Sequence, residues 1–370
     1  MVTQAVILVG GQGTRLRPLT SQLPKPVLDV VDRPFLAHML DWLAGHGITE
    51  AVLCCGFKAD VLKEHLGEGV VHGISLTYLT EPEPRGTAGA LKFAEDHLHE
   101  RFVMLNGDVL TDLDLSAQIA AHESTGASGT LGLVPVLDPS AFGLVRLQDD
   151  NVVRGFVEKP KPEEIDTDLI SAGAYVLERS VVDLIAPDIS VSIEREVFPK
   201  LIGEGLYGFP HRGAYFMDLG TPERYLDGLR DVLTGALTTQ TYGLLGNGGV
   251  RVPDGVALGE GSTISSPTWI GDGVTIGQGV RIGPNTVIGD GATIADGAAV
   301  RDSVVLSGAK IGARSELYRS LVGHGATVGD DVVVGHLAVV GPGAVVEAGA
   351  IIPHETKIEH ELEASDVSPH

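Results

Sequence analysis

The chain has 370 residues, long enough for two domains, and 43% of them are hydrophobic, which supplies a core for each and excludes a disordered chain. Its 26 Lys and Arg against 49 Asp and Glu leave a formal charge of −23, which argues against nucleic acid or an anionic membrane as partner, since both bind a basic face. Cys54 and Cys55 are the only cysteines, and as neighbours in an apolar run they read as small buried residues of a reducing compartment. No charged-then-apolar leader opens the sequence and no run reaches about 18 apolar residues, so a cytoplasmic location is expected.

The first apolar run, residues 5–8, leads straight into Val9-Gly10-Gly11-Gln12-Gly13-Thr14-Arg15-Leu16-Arg17-Pro18-Leu19-Thr20, with Pro24-Lys25-Pro26 just beyond. A buried strand thus enters a glycine loop with basic residues on its far side. Gly10, Gly11 and Gly13 let backbone N–H groups approach phosphate oxygens, while Arg15 and Lys25 supply compensating charge. A Walker A loop requires Lys-Ser or Lys-Thr after its last glycine, where this chain has Thr14-Arg15. A dinucleotide fingerprint requires a third glycine where Leu16 stands.

Up to about residue 232, short apolar runs alternate with helical patterns. Residues 5–9, 51–55, 76–79, 102–105 and 130–136 read as strands, and 34–46, 59–65, 88–99 and 115–124 as helices. The alternation predicts a mostly parallel α/β sheet with ligands at the carboxyl ends of its strands. A Thr- and Gly-rich linker over 233–250 follows, and then the grammar changes. Val252, Leu258, Ile264, Ile270, Ile276, Ile282, Ile288, Ile294, Val300 and Leu306 stand six apart; Ile311, Leu317, Val322, Val328, Val334, Val340, Val346 and Ile352 continue the series after two single-residue deletions. Hexapeptides with one inward aliphatic residue make the faces of a triangular prism, three to a coil, so residues 251–353 predict a left-handed parallel β-helix of about six coils stacked ~4.8 Å apart. Residues 354–370 read as a polar tail.

Two carboxylates follow apolar stretches in the first half. Asp108 ends Val103-Met104-Leu105-Asn106-Gly107-Asp108, and Asp218 lies in Phe216-Met217-Asp218-Leu219-Gly220. Mg²⁺ on a nucleotide keeps several waters and takes one or two protein carboxylates, a role this pair suits. Phe156-Val157-Glu158-Lys159-Pro160 is a strand ending in an acid and a base, and Glu81-Pro82-Glu83-Pro84-Arg85-Gly86-Thr87-Ala88-Gly89 is a stiff loop opening a helix.

The glycine string with Pro24-Lys25-Pro26-Val27-Leu28 resembles the signature of the sugar-nucleotide pyrophosphorylases, nucleotidyltransferases that join a sugar 1-phosphate to an NTP. The Glu81 to Gly89 loop and Ser192-Ile193-Glu194-Arg195-Glu196-Val197-Phe198-Pro199 are similar to the mannose-1-phosphate guanylyltransferase branch, and the likeness covers nearly the whole chain. It implies a Rossmann-like nucleotidyltransferase domain over 1–232 followed by the β-helix, with GTP and mannose 1-phosphate as substrates, Mg²⁺ as cofactor and pyrophosphate as by-product. It implies catalytic roles for Arg15, Lys25 and Asp108, and metal binding by Asp108 and Asp218. The nucleotide falls to Gly10, Gly11, Gly13, Thr14, Arg15, Glu81, Gly86 and Thr87, with the Glu81 carboxylate able to accept from the N1–H and N2–H₂ edge of guanine. The sugar phosphate falls to Gly143, Glu158, Lys159, Ser171 and Gly173. Ser171 stands where most relatives carry Asn, and a hydroxyl reaches less far and donates one bond instead of two.

Three other readings stay open at this point. One is thymidylyl or adenylyl transfer to glucose 1-phosphate. A second is an added acyltransferase activity in the β-helix, for which His324 and His336 are candidates. The third is a catalytically silent regulatory subunit, against which stands the retention of Arg15, Lys25, Asp108, Lys159 and Asp218. The regular faces of the β-helix are assigned to self-association as a homo-oligomer.

Overall fold

The computed structural model describes residues 2–56 and 58–359. Two compact units emerge, and the chain passes between them more than once: Met1–Gln12 with Leu36–Asp218, and Gly13–Phe35 with Leu219–His370. A divide near residue 232 follows from the change of sequence grammar alone; in three dimensions the segment with Thr14, Arg15 and Lys25 belongs with the C-terminal unit.

The first unit is built on a ten-stranded mixed sheet. Strands β1 (Gln4–Leu8), β2 (Glu50–Cys55), β3 (Ile74–Thr80) and β4 (Arg101–Asn106) run parallel in the order β4-β1-β2-β3. Buried parallel strands read as near-continuous apolar runs, and these do. Helices α1 (Phe35–Gly45), α2 (Ala59–Leu66) and α3 (Gly86–Phe93) make the crossovers. After β4, a short strand β5 (Val109–Thr111) leaves the main sheet. Helix α4 (Leu115–Thr125) starts where the Asp114 carboxylate accepts from Ala117 N at 2.9 Å and stops at Gly126, whose φ of 63° suits a residue without a Cβ.

Beyond α4 the sheet turns antiparallel. Strands β6 (Gly129–Pro135), β7 (Gly143–Leu147), β8 (Val153–Glu158) and β9 (Leu169–Glu178) follow; β9 pairs antiparallel with β4, β6 and β7, and β8 closes the edge on β7. Strand β10 (Leu206–Pro210) lies parallel to β6. Strand β11 (Phe216–Asp218) returns to pair antiparallel with β5. Parallel order is thus confined to β4-β1-β2-β3 and the β6-β10 pair. Val6, Leu91, Phe102, Met104, Leu131, Tyr175 and Phe198 are among the fully buried members of the core beneath.

The second unit contains the segment 13–35, helix α5 (Pro222–Thr234), a one-turn helix α6 (Gln240–Gly243) and the coil. Helix α6 lies within the stretch read as linker, and it is anchored: Thr241 is fully buried and its Oγ1 donates to Asp32 Oδ1. Three parallel sheets of seven, six and five strands form the sides of the prism. One side stacks Ile270, Ile288, Val305, Val322, Val340 and Ile358 in register, and the other two stack Ile264 to Ile352 and Ile276 to Val346. This is the arrangement of a left-handed parallel β-helix.

Two details differ from the six-residue count. The inward residue after Val300 is Val305, not Leu306, because the first single-residue deletion falls before it. Val252 and Leu258 remain 38% and 45% exposed, since no complete coil lies below to cover them. Aspartates tie successive coils together: Asp290 Oδ1 accepts from Asp272 N, Asp296 Oδ1 from Gln278 N and Asp330 Oδ1 from Ala313 N, each at 2.8 Å. The segment read as a polar tail begins with one more rung, Lys357–Ile358, and residues 360–370 lie outside the described residues. Among the described residues no helix is long and apolar enough to cross a membrane.

Candidate active site

The carboxyl ends of β1, β2 and β4 meet at one crowded edge. Val9 N donates to Cys54 O at 3.0 Å and Gly107 N to Leu8 O at 2.9 Å. A Cβ on Gly107 would lie 2.5 Å from Leu8 O, and one on Gly56 2.9 Å from Gly10 O, so only glycine fits at either place. Gly10 sits in this crowd, whereas Gly11 is exposed with no atom within 4 Å of its Cβ position. In open α/β sheets this edge is where ligands are held.

Glu81 follows β3, and its N donates to Cys55 O at 2.8 Å. Its Oε2 accepts from Arg85 N at 3.1 Å, closing the Pro-rich turn, and Oε1 lies 3.6 Å from the Cβ position of Gly10. Burial raises the Glu81 pKa above the ordinary carboxylate value, against the opposing effect of Arg85. Gly86 opens α3 with φ 70°, and a Cβ there would lie 2.7 Å from Val191 O. Thr87 Oγ1 donates to Glu194 Oε2 at 2.9 Å and accepts from Ile193 N at 2.8 Å. Gly86 and Thr87 therefore seat the 189–194 segment against α3.

A second group of residues gathers where β7 and β9 begin and β8 ends. Gly143 pairs with Glu158, and a Cβ on Gly143 would lie 2.9 Å from Glu158 Oε2. Lys159 is exposed, has φ 52° and donates its N–H to Phe142 O at 3.0 Å. The register of β9 slips between Ser171 and Tyr175, lifting Gly173 out with φ 67° against Asn106 at the end of β4. Ser171 Oγ lies 3.0 Å from Tyr175 Oη, which donates to Glu194 Oε1 at 3.4 Å. Burial, then the charge of Glu194, raises the Glu158 pKa, while Arg195 and Lys159 oppose the rise. Two acids, Glu158 and Glu194, and two cations, Arg195 and Lys159, are thus close enough to act on one another here.

Gly173→Ala tests this geometry. The new methyl would stand 2.7 Å from Asn106 Nδ2 in a left-handed backbone. The expected cost is about 1–3 kcal/mol of stability together with a raised KM for the sugar phosphate, read by melting and by steady-state kinetics. An unchanged KM would remove Gly173 from the ligand's surroundings.

The two predicted metal carboxylates come together. In the β5-β11 ladder Asp218 stands opposite Val109, one residue from Asp108, and both aspartates are half-buried. Among the described residues no group of three or more His, Cys, Asp or Glu is arranged to hold a metal. A pair of carboxylates fits a nucleotide-borne divalent ion, which brings water ligands of its own, better than a fully protein-ligated ion.

In the second unit, Gly13 (φ 59°) caps a one-turn 3₁₀ helix, Thr14–Leu16, and its carbonyl accepts from Thr20 Oγ1 at 2.8 Å. Lys25 is buried, with its Cβ 3.3 Å from the position a Gly13 Cβ would take. Thr14 and Arg15 are exposed. Histidines play a structural part: His122 bridges Thr130 and Glu178, and His211, lowered by burial to about 4, meets Gln118. Glu194, Tyr175 and Asn106 are the functional candidates that the sequence left unmarked, although Glu194 and Asn106 lie in strings already quoted.

A glycine loop at the carboxyl edge of a mixed α/β sheet, paired aspartates and a hexapeptide β-helix define a nucleotidyltransferase of the two-domain kind. The nucleotidyl transferase profile matches residues 4–235 and the GMPPB C-terminal domain profile residues 264–361. Mannose-1-phosphate guanylyltransferase of Mycobacterium tuberculosis is 41% identical over 265 residues, 70% of this chain and 72% of that protein. Mannose-1-phosphate guanyltransferase of Candida albicans is 41% identical over 235 residues, 61% of this chain and 63% of that one. The crystal structure of HddC from Yersinia pseudotuberculosis matches with a TM-score of 0.55 at 29% identity, covering 62% of this chain and 99% of HddC, and HddC complexed with GMP-PN matches at 0.54. The chain belongs to the nucleotidyl transferase family.

Proposed function

We propose that this chain joins mannose 1-phosphate to GTP, releasing pyrophosphate and leaving GDP-mannose. The observation that carries the reading is that likeness to named mannose-1-phosphate guanylyltransferases runs through the catalytic sheet, while the coil matches the C-terminal domain of the same group. A phosphate oxygen of the sugar phosphate, already an anion, attacks the α-phosphorus in line; the new P–O bond forms as the bond to pyrophosphate breaks. Positioning and charge neutralisation carry the rate, and no covalent enzyme intermediate is needed.

In this reading Gly10, Gly11, Gly13 and Thr14 offer backbone N–H groups to the polyphosphate, and Arg15 and Lys25 offset its charge. Asp108 and Asp218 would hold Mg²⁺, which would supply further neutralisation of the phosphates when bound. Glu81 accepts from guanine through Oε1, which lies beside Gly10, its Oε2 being held by Arg85 N. Glu158, Ser171, Gly143 and Gly173 meet the sugar, and Lys159 its phosphate. Self-association through the β-helix and a cytoplasmic setting complete the proposal.

A pyrophosphate-release assay over a grid of NTPs and sugar 1-phosphates tests it. GTP with mannose 1-phosphate is expected to give the highest kcat/KM. A tenfold preference for dTTP with glucose 1-phosphate, about 1.4 kcal/mol of transition-state discrimination, would overturn the guanylyl assignment.

A further inference from the structure

The seven-stranded side of the β-helix ends in three consecutive rungs, Leu321–Val322, Val339–Val340 and Lys357–Ile358, and each rung or the turn after it reaches the segment 13–35. His324 Nε2 lies 3.9 Å from Asp29 Oδ2. Gly341 runs so close to Pro18 that a Cβ on it would stand 2.9 Å from Pro18 Cβ. Lys357 Nζ donates to the backbone carbonyl of Arg15 at 2.9 Å. At the neighbouring corner Arg319 meets Asp227 at 3.1 Å and Glu223 at 3.6 Å on α5, while Tyr225 of the same helix donates to the Asp29 carbonyl.

The loop that receives these contacts has no long regular element of its own. It is a glycine run followed by a 3₁₀ helix of three residues, whose hydrogen-bond geometry is poorer than that of an α-helix. From within, the Thr20 hydroxyl donates to Gly13 O at 2.8 Å. The coil is the opposite case, with every rung hydrogen-bonded to the next and an aliphatic stack inside. A cation aimed at a transferring phosphate loses effect steeply with displacement, so a loop without long regular structure gains from a rigid neighbour.

We infer that the last rungs of the β-helix hold the phosphate loop in its working position, with Lys357 as a positioning residue that acts through the backbone of Arg15. The inference rests on the proposed role of Arg15 toward the polyphosphate. It gives the coil a part in turnover within one chain, separate from self-association.

The test uses the full chain and four proteins: wild type, Lys357→Met, Lys357→Arg and, as a control on an exposed rung elsewhere, Lys310→Met. Hydrogen exchange of peptides covering 13–19 is measured without substrate, and kcat and both KM values are measured with GTP and mannose 1-phosphate. Lys357→Met should speed exchange of the 13–19 amides and cut kcat by about tenfold, leaving KM for mannose 1-phosphate within about twofold. Lys357→Arg, which retains a cationic donor, should recover both, and Lys310→Met should match wild type. Exchange of the 321–346 peptides in the same run reports that the coil is intact. Unchanged 13–19 exchange in Lys357→Met, or faster exchange with wild-type kcat, overturns the inference. Faster 13–19 exchange with a wild type that fails to turn over GTP leaves the support of the loop standing and removes the functional reading instead.

Discussion

Asp108→Asn and Asp218→Asn should each lower kcat by about a thousandfold and leave the fold intact. Both substitutions remove a charge while keeping nearly the same volume, so the β5-β11 ladder that sets Asp218 opposite Val109 has no reason to change. On the proposed reading, each variant loses one of two anionic ligands for a divalent ion that would offset charge at the transferring phosphate, an effect worth several kcal/mol. Raising Mg²⁺ should recover part of the rate, because a weaker site can still be filled by mass action. Circular dichroism and a Mg²⁺ titration of turnover check both halves of the expectation. Near-normal rates in both variants at low Mg²⁺ would remove the aspartates from the site.

Cutting the chain after Thr238 should cost at least about a hundredfold in turnover of GTP. From sequence, where every catalytic motif lies before residue 223 and the β-helix is assigned to self-association, the expectation is a soluble catalytic fragment with reduced stability and a smaller oligomer. The three-dimensional division changes the forecast, since Gly13–Phe35 is built into the C-terminal unit. The cut removes Thr241 from Asp32, Gly341 from Pro18 and Lys357 from Arg15 together. Sedimentation of both chains beside their turnover separates the outcomes. A fragment as active as the full chain would show that residues 13–35 keep their working shape without the coil.

The periodic parts of this molecule were the legible ones. Strands β1 to β4 and β6, and the helices between them except α3, fall within a few residues of where apolar runs and helical patterns placed them, because a strand covered on both faces leaves a mark in composition; α3, read over 88–99, ends at Phe93 and gives way to a 3₁₀ turn over Glu95–His97. The hexapeptide period was legible because each face contributes one inward aliphatic residue. It failed at Leu306 because a one-residue deletion leaves two adjacent apolar residues to choose between, and only the neighbouring rungs decide for Val305.

The site was legible where one string carries the chemistry, and opaque where strands distant in sequence combine. Asp108 and Asp218 each stood out after an apolar run, yet their adjacency depends on a ladder between strands more than 100 residues apart. Glu194 was hidden for the same reason. Its partners Thr87, Tyr175 and Ser192 come from α3, β9 and its own turn, so its place as their common acceptor exists only in the folded chain. Thr87, read as a nucleotide contact, has its hydroxyl engaged with Glu194 and Ile193.

The hydrogen bond between Lys357 and Arg15 closes a separation of 342 residues, and this has a consequence for how the protein is born. At translation rates of about 5–20 residues per second, roughly 17–70 s pass between the emergence of the two partners. For that interval the nascent chain displays its glycine loop and then both aspartates, while the rung that steadies Arg15 has yet to be made. The β-sheet can assemble around its local crossovers well before then, since loop closure over short spans is fast. The Lys357 contact waits on nearly the last described turn of the coil, so the order of synthesis makes this support of the 13–19 loop only after both aspartates have emerged.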